Sequence, residues 1–104
     1  MNFFLAYITT KNEEEALSLA NLAVEKNLAA CGNIFHKMKS VYKWNEKLQM
    51  DNETLLILKT NSKKYPLLKK LIIEKHSYEV PCILKIPISE GNKEYLKWID
   101  QSLI

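Results

Sequence analysis

Arginine is absent from the 104 residues, and all 15 basic side chains are lysine. The guanidinium fork is the usual means of gripping phosphate, carboxylate or guanine with two parallel bonds, so that mode is closed to this chain. A net charge of +3 is too small to argue for nucleic acid, and no nucleic-acid partner is expected. Cysteine is scarce. Cys31 and Cys82 stand far apart and form no CxxC pair, which excludes a zinc ribbon and a thioredoxin-type redox site. No apolar run approaches the roughly 18–20 residues of a membrane helix. Phe3 to Ile8 is too short for a signal-peptide core, and no small-residue cleavage pattern follows it. A cytoplasmic protein with free thiols and no membrane partner is therefore expected. No repeats, low-complexity tracts or linkers interrupt the chain, so residues 1–104 read as one domain.

What is present is a regular alternation of strand and helix signals. Phe3 to Thr10 is a near-continuous run of strand formers, suited to the middle of a sheet. Asn12 followed by Glu15 reads as a capping box, and Glu13, Glu14 and Glu15 complement the positive end of a helix. Ala16, Leu19, Ala20, Ala23 and Val24 then recur at helical spacing, which predicts a helix over 12–26 with Asn27 as its left-handed stop. Residues 28–44 and 47–60 form two strands joined at Asn45-Glu46, with polar interruptions at His36-Lys37 and Asp51-Asn52. Ser62 is the expected cap of a second helix ending near Lys75, with Tyr65, Leu68, Leu71 and Ile72 on its inner face. Val80 to Ile88 is a strand whose Pro81 and Pro87 suit an edge. Asn92 caps a last helix carrying Tyr95, Leu96, Trp98 and Ile99. This order predicts an α+β, ferredoxin-like split βαβ sandwich (βαββαβ plus a C-terminal helix).

The long hairpin carries a further consequence. Each arm runs about 14–16 residues, roughly 50 Å if fully extended, whereas a domain of this size has a radius of gyration near ~13 Å. The arms must bend at the polar interruptions or reach past the body, leaving open edges that carry Val41, Tyr42 and Trp44. Open edges of that kind pair with other chains. A homo-oligomer is predicted.

The densest chemistry lies in His76-Ser77-Tyr78-Glu79-Val80-Pro81-Cys82-Ile83, where an imidazole, a phenol and a carboxylate precede a proline that stiffens the turn. Cys31 with His76, and Glu79 as a third group, could hold copper or zinc, since thiolate and imidazole suit both; Cys31 could equally be a small buried hydrophobe. Cys31 as nucleophile with His76 as base uses the same residues but lacks an orienting third group. Lys59, Trp44, Tyr95 and Trp98 could line a pocket for an anionic or aromatic ligand, although aromatics at helical spacing favour packing for Tyr95 and Trp98. His36, in a polar break, is expected to be solvated. Other occupants of the fold are excluded. Thr54 to Thr60 lacks the aromatics and glycines of an RNA-recognition strand, and Thr9 to Asn12 lacks the paired cysteines of a soft-metal chaperone. An acyl-phosphate hydrolase would want an arginine, and neither a P-loop nor a dinucleotide fingerprint occurs.

Five blocks together resemble the CutA family of divalent-cation-tolerance proteins: Leu28-Ala29-Ala30-Cys31-Gly32-Asn33-Ile34, Ser40-Val41-Tyr42-Lys43-Trp44, Leu58-Lys59-Thr60, His76-Ser77-Tyr78-Glu79-Val80-Pro81 and Gly91 to Ile99. They come in the family's order and spacing and cover nearly the whole chain. The resemblance implies a ferredoxin-like trimer, similar in plan to PII-type signalling proteins, whose hairpins lock the subunits together. It implies a link to divalent metal tolerance, copper in particular, and no settled enzymatic activity. Cys31, His76 and Glu79 match the family's candidate metal ligands; Lys59, Tyr78, Trp44, Tyr95 and Trp98 match residues that gather in clefts between subunits. Two positions depart from the family pattern: Ser77 replaces a usual proline, and Cys82 a usual glutamate. A metal-binding homotrimer is the leading expectation, with a signalling or scaffold trimer as its competitor and a Cys31/His76 enzyme behind both.

Overall fold

The computed structural model describes residues 2–104. Its elements follow in the expected order: β1 (Phe3–Thr10), α1 (Glu13–Glu25), β2 (Cys31–Trp44), β3 (Lys47–Asn61), α2 (Tyr65–Lys75), β4 (Ile83–Ile88) and α3 (Lys93–Ser102). The strands form an antiparallel sheet in the order β2-β3-β1-β4. Each strand–helix–strand unit thus encloses one strand of the other, which is the split βαβ sandwich. No described helix is long and apolar enough to cross a membrane.

Most element ends fall where the sequence places them. Asn12 Oδ1 accepts the Glu15 N–H at 2.8 Å, and Asn27 takes φ 57° to stop the helix. The returning half of the capping box differs, because Glu15 Oε1 accepts the N–H of Lys11 rather than that of Asn12. Asn92 caps α3 as expected, its side chain accepting the Glu94 N–H at 2.9 Å. Ser62 is not the cap of α2. The preceding strand runs through Asn61, whose Oδ1 accepts the Lys64 N–H at 3.0 Å, while Ser62 donates its own N–H to Asn2. The last strand begins at Ile83 rather than Val80. Its edge character holds, for it pairs only with β1, with Pro87 opposite Phe4. The ammonium of Lys85 on that strand lies 4.6 Å from the Phe4 ring centre and 5.2 Å from that of Tyr65.

Alternation along the strands divides the sheet into two unlike faces. Ala6, Ile8, Leu56 and Leu58 pack against Ala16, Leu19, Ala20 and Ala23 of α1 and Leu68, Leu71 and Ile72 of α2. The alanine row lets α1 approach closely, and Gly32 is where the approach is tightest. A Cβ there would meet Leu58 Cδ2 at 2.9 Å and Ala20 Cβ at 3.3 Å. The opposite face carries Leu5, Tyr7, Leu55 and Ile57, all only half-buried, and Leu84 and Ile86, both exposed. Helix α3 covers one end of it, where Ile99 and Leu103 pack with Phe3 and Ala30. No other described element covers the rest.

The hairpin combines both expected outcomes. The register between β2 and β3 shifts between Phe35 and Met38, and Lys37 takes φ 66°, so the arm is irregular at its polar break. Pairing then resumes to Trp44 and Lys47, across a two-residue loop in which Asn45 and Glu46 both have positive φ, as a primed turn requires. Asp51-Asn52 does not interrupt its arm, since both residues stay paired with Ser40 and Lys39. The result is an elongated subunit of 46 × 25 × 22 Å.

The bulge also changes which side chains share a face. Before it Cys31 lies opposite Lys59 and Phe35 opposite Leu55; after it Met38 lies opposite Glu53 and Ser40 opposite Asp51. The extra residue reverses the parity of β2. Ser40, Tyr42 and Trp44 thereby join Asp51 and Glu53 on the face that the helices leave open.

Candidate functional site

The turn from α2 to β4 is tied down through His76, which is buried. One ring nitrogen, Nε2, bonds the Thr9 carbonyl at 2.8 Å, and the other, Nδ1, accepts the Tyr78 N–H at 3.0 Å. Those two bonds define a neutral imidazole donating from Nε2 and accepting at Nδ1. Both nitrogens serve the main chain, so neither is free for a metal or as a base. Beside them Glu15 Oε2 accepts the Ser77 N–H at 2.8 Å. Burial pushes the Glu15 carboxyl up, but bonds from the Ser77 side chain and from the Lys11 and Ser77 backbone, with the nearby His76, outweigh it and hold the carboxyl below its ordinary range. A proline at position 77 would have no N–H to give. Serine at this departure from the family pattern thus adds a clamp to the turn.

This clamped turn forms one wall of a cleft of about 730 Å³. The hairpin forms the other wall. Tyr42, Trp44, Asp51 and Glu53 line it on one side, Tyr78, Glu79 and Cys82 on the other. Glu53 accepts from Ser40 Oγ at 2.6 Å and from Tyr78 Oη at 2.8 Å. The Tyr42 phenol donates to Asp51. Asp51 and Glu53 are site residues that the sequence reading missed. Their only local signal was an apparent polar break, and it is the bulge across the ladder that turns Ser40, Tyr42 and Trp44 toward them.

A second cluster lies at the far end of the same face. Lys59 Nζ donates to Tyr95 Oη at 2.9 Å and sits 5.1 Å from that ring's centre. Cys31 Sγ lies 4.0 Å from the same oxygen, and Trp98 stacks at 5.4 Å from Tyr95. The bond to Tyr95 raises the Lys59 ammonium above its ordinary value against the opposing effect of burial, and Cys31 adds to the rise. Tyr95 and Trp98 are 41% and 44% exposed, so the packing expected for them is corrected. They sit on the outer side of α3, whose inner side is Ile99. His36 is exposed as expected.

The sequence-derived sites therefore separate within one subunit. Lys59, Tyr95, Trp98 and Cys31 stand at one end; Trp44, Tyr78 and Glu79 stand at the other. Cys31 and His76 do not meet. Lys59, opposite Cys31, pairs with Leu5, whereas His76 binds Thr9, and four residues of strand span about 13 Å. Among the described residues, no group of three His, Cys, Asp or Glu side chains could hold a metal ion. The trio Cys31, His76 and Glu79 does not close on an ion inside a subunit, nor can His76 act on Cys31 there.

The phenols of the cleft give it a pH signature. Burial, then the bond to Glu53, drives the Tyr78 phenol well above its ordinary value of 10.0, and the bond to Asp51 raises Tyr42. A group raised in the folded state contributes its full stability below the unfolded value and loses it as pH rises past that value. The urea midpoint should fall above about pH 10, and Tyr78→Phe should flatten the fall. An equally steep fall in Tyr78→Phe would show that other groups govern the alkaline limb.

Residues 4–102 match the family described as CutA1 divalent ion tolerance protein. The divalent-cation tolerance protein CutA of Archaeoglobus fulgidus is 43% identical over 97 residues, which is 93% of this chain and 94% of that one. Protein CutA of Mus musculus is 38% identical over 96 residues, 92% of this chain but 54% of the mouse protein, so the chain spans about half the length of that relative. The crystal structure of CutA1 from Oryza sativa superposes with a TM-score of 0.96 at 36% identity, over 100% of this chain and 95% of that one.

Proposed function

Given that the chain belongs to the CutA1 family of divalent ion tolerance proteins, we propose that it works as a cytoplasmic homotrimer binding a divalent cation, copper foremost, between its subunits. The observation that carries this reading is the uncovered apolar face of the sheet. Leu5, Tyr7, Leu55, Ile57, Leu84 and Ile86 make a continuous apolar surface with no described layer over most of it, and such surfaces mark association sites. The outer edge of β2 is likewise unpaired over its whole length, and a second copy of the chain is the occupant that satisfies both. Assembly also supplies what one subunit lacks. Cys31 and Glu79 stand at opposite ends of the sheet, so ligands for one ion must come from neighbouring chains. His76 acts by holding the turn that presents Glu79.

Copper(II) titration of the parent, Cys31→Ser and Glu79→Gln tests this reading. Each substitution removes a ligand and should weaken binding by about tenfold or more. Unchanged affinity in both variants would favour the competing scaffold reading, in which the trimer presents a surface to a protein partner and metal binding is incidental. The engagement of both His76 nitrogens lends that competitor its support.

A further inference from the structure

We propose that Glu15 is a positioning residue of the cation site: through Ser77 it fixes the turn that presents Glu79, a role that rests on the preceding reading of Glu79 as a ligand. The two carboxylate oxygens of Glu15 have separate duties. Oε1 accepts the Lys11 N–H at 3.0 Å, and Oε2 accepts the Ser77 N–H at 2.8 Å. One N–H belongs to the β1–α1 loop and the other to the α2–β4 turn, 62 positions away from Glu15. A carboxylate can serve both because both of its oxygens accept. Glutamine keeps one acceptor and would set an amide donor against the other N–H, and aspartate is shorter by a methylene. The Glu15 side chain is only 9% exposed, with His76 Nδ1 3.8 Å from Oε2. Bonds made in that shelter are stronger than the same bonds in water.

Position 77 explains why the tether matters in this chain. Proline there would stiffen the turn through its own ring and offer no N–H. The residue before it, His76, has φ −71° and ψ 144°, the extended region that a residue preceding proline occupies. Proline is thus accommodated on that side, and serine is not imposed by the backbone of His76. Serine gives the turn back the freedom that proline removes, and Glu15 takes it away again. Glu79 follows two residues later and is exposed, so the backbone of the turn is what aims it. A stiffness that proline would build in permanently depends here on one carboxylate of a different element.

Copper(II) titration, run beside amide hydrogen exchange of the turn, tests the proposal. Glu15→Ala should quicken exchange of the Ser77 amide about tenfold and weaken copper binding about tenfold. Glu14→Ala is the control, since Glu14 is exposed and stands in the same first turn of α1; it should move both by less than about twofold. In a Ser77→Pro chain, Glu15→Ala should change copper affinity by less than about twofold, because no N–H remains to be lost. A merely structural role for Glu15 would weaken binding equally in both backgrounds. Circular dichroism checks the fold, and Glu15→Gln, of nearly the same shape, replaces the alanine variant if that one unfolds. Three results would overturn the proposal: Ser77 exchange indifferent to Glu15, equal weakening with serine or proline at 77, or a Glu14→Ala effect as large as that of Glu15→Ala. Copper affinity indifferent to Glu79→Gln would sink the ligand reading instead. Ser77 exchange needs no metal, and it still separates a turn held by Glu15 from one that is not.

Discussion

A chain carrying Ile57→Asp should sediment as a single folded subunit where the parent should sediment as the proposed trimer. Ile57 lies on a central strand, opposite Tyr7 on one side and Asn33 on the other, in the middle of the uncovered apolar face. In a lone subunit the new carboxylate remains partly hydrated. In the assembly it would be shut between sheets with no cation beside it, which costs several kcal/mol per copy. A cost of about 4 kcal/mol is already roughly a thousandfold in association, so the change should be complete at micromolar concentration. Sedimentation velocity measures it, and far-UV circular dichroism confirms that the subunit stays folded. If the variant keeps the parent's sedimentation coefficient, this face is not the interface. A monomeric parent would remove the trimer reading altogether, and with it any cation site shared between chains.

The second large effect lies inside the subunit. Leu58 is fully buried, and Leu58→Ala should cost about 2–5 kcal/mol through lost burial and the cavity left behind. Gly32→Ala should cost about 1–3 kcal/mol for the opposite reason, since the added methyl group must displace Leu58 Cδ2, only 2.9 Å away, and Ala20 Cβ is close behind. The two defects meet at one point in space. In the double variant the methyl group enters the space that the leucine vacates, so the combined cost should fall short of the sum by about 1 kcal/mol or more. Urea denaturation of the four proteins at equal chain concentration measures this, the concentration being fixed because association contributes to apparent stability. Strict additivity would show that the glycine is not required by this contact.

Much of this architecture was legible residue by residue. The asparagines at 12, 27 and 92 mark helix ends through chemistry local to each. The strand and helix periods do not compete with one another, so element order and topology followed. The cap of α2 was misread because the helix begins only at Tyr65, after Lys64, which supplies no side-chain cap, and strand pairing with Phe3 carries β3 as far as Asn61. The site was legible only in part. Tyr78 and Glu79 stand out in sequence, and His76 does too, yet nothing local states that both of its nitrogens are engaged by Thr9 and Tyr78. Asp51 and Glu53 stayed hidden because their role depends on a one-residue bulge in the opposite arm. Tyr95 and Trp98 have the spacing of core residues but lie on the outer side of an amphipathic helix, a distinction that needs the neighbouring strands to be in place.

The border strand β4 shapes how such a molecule can accumulate. Its free side offers Pro87, which has no amide hydrogen. A foreign ribbon zipping along it would find a missing rung. Endless edge-to-edge stacking into filaments is therefore blocked on that side.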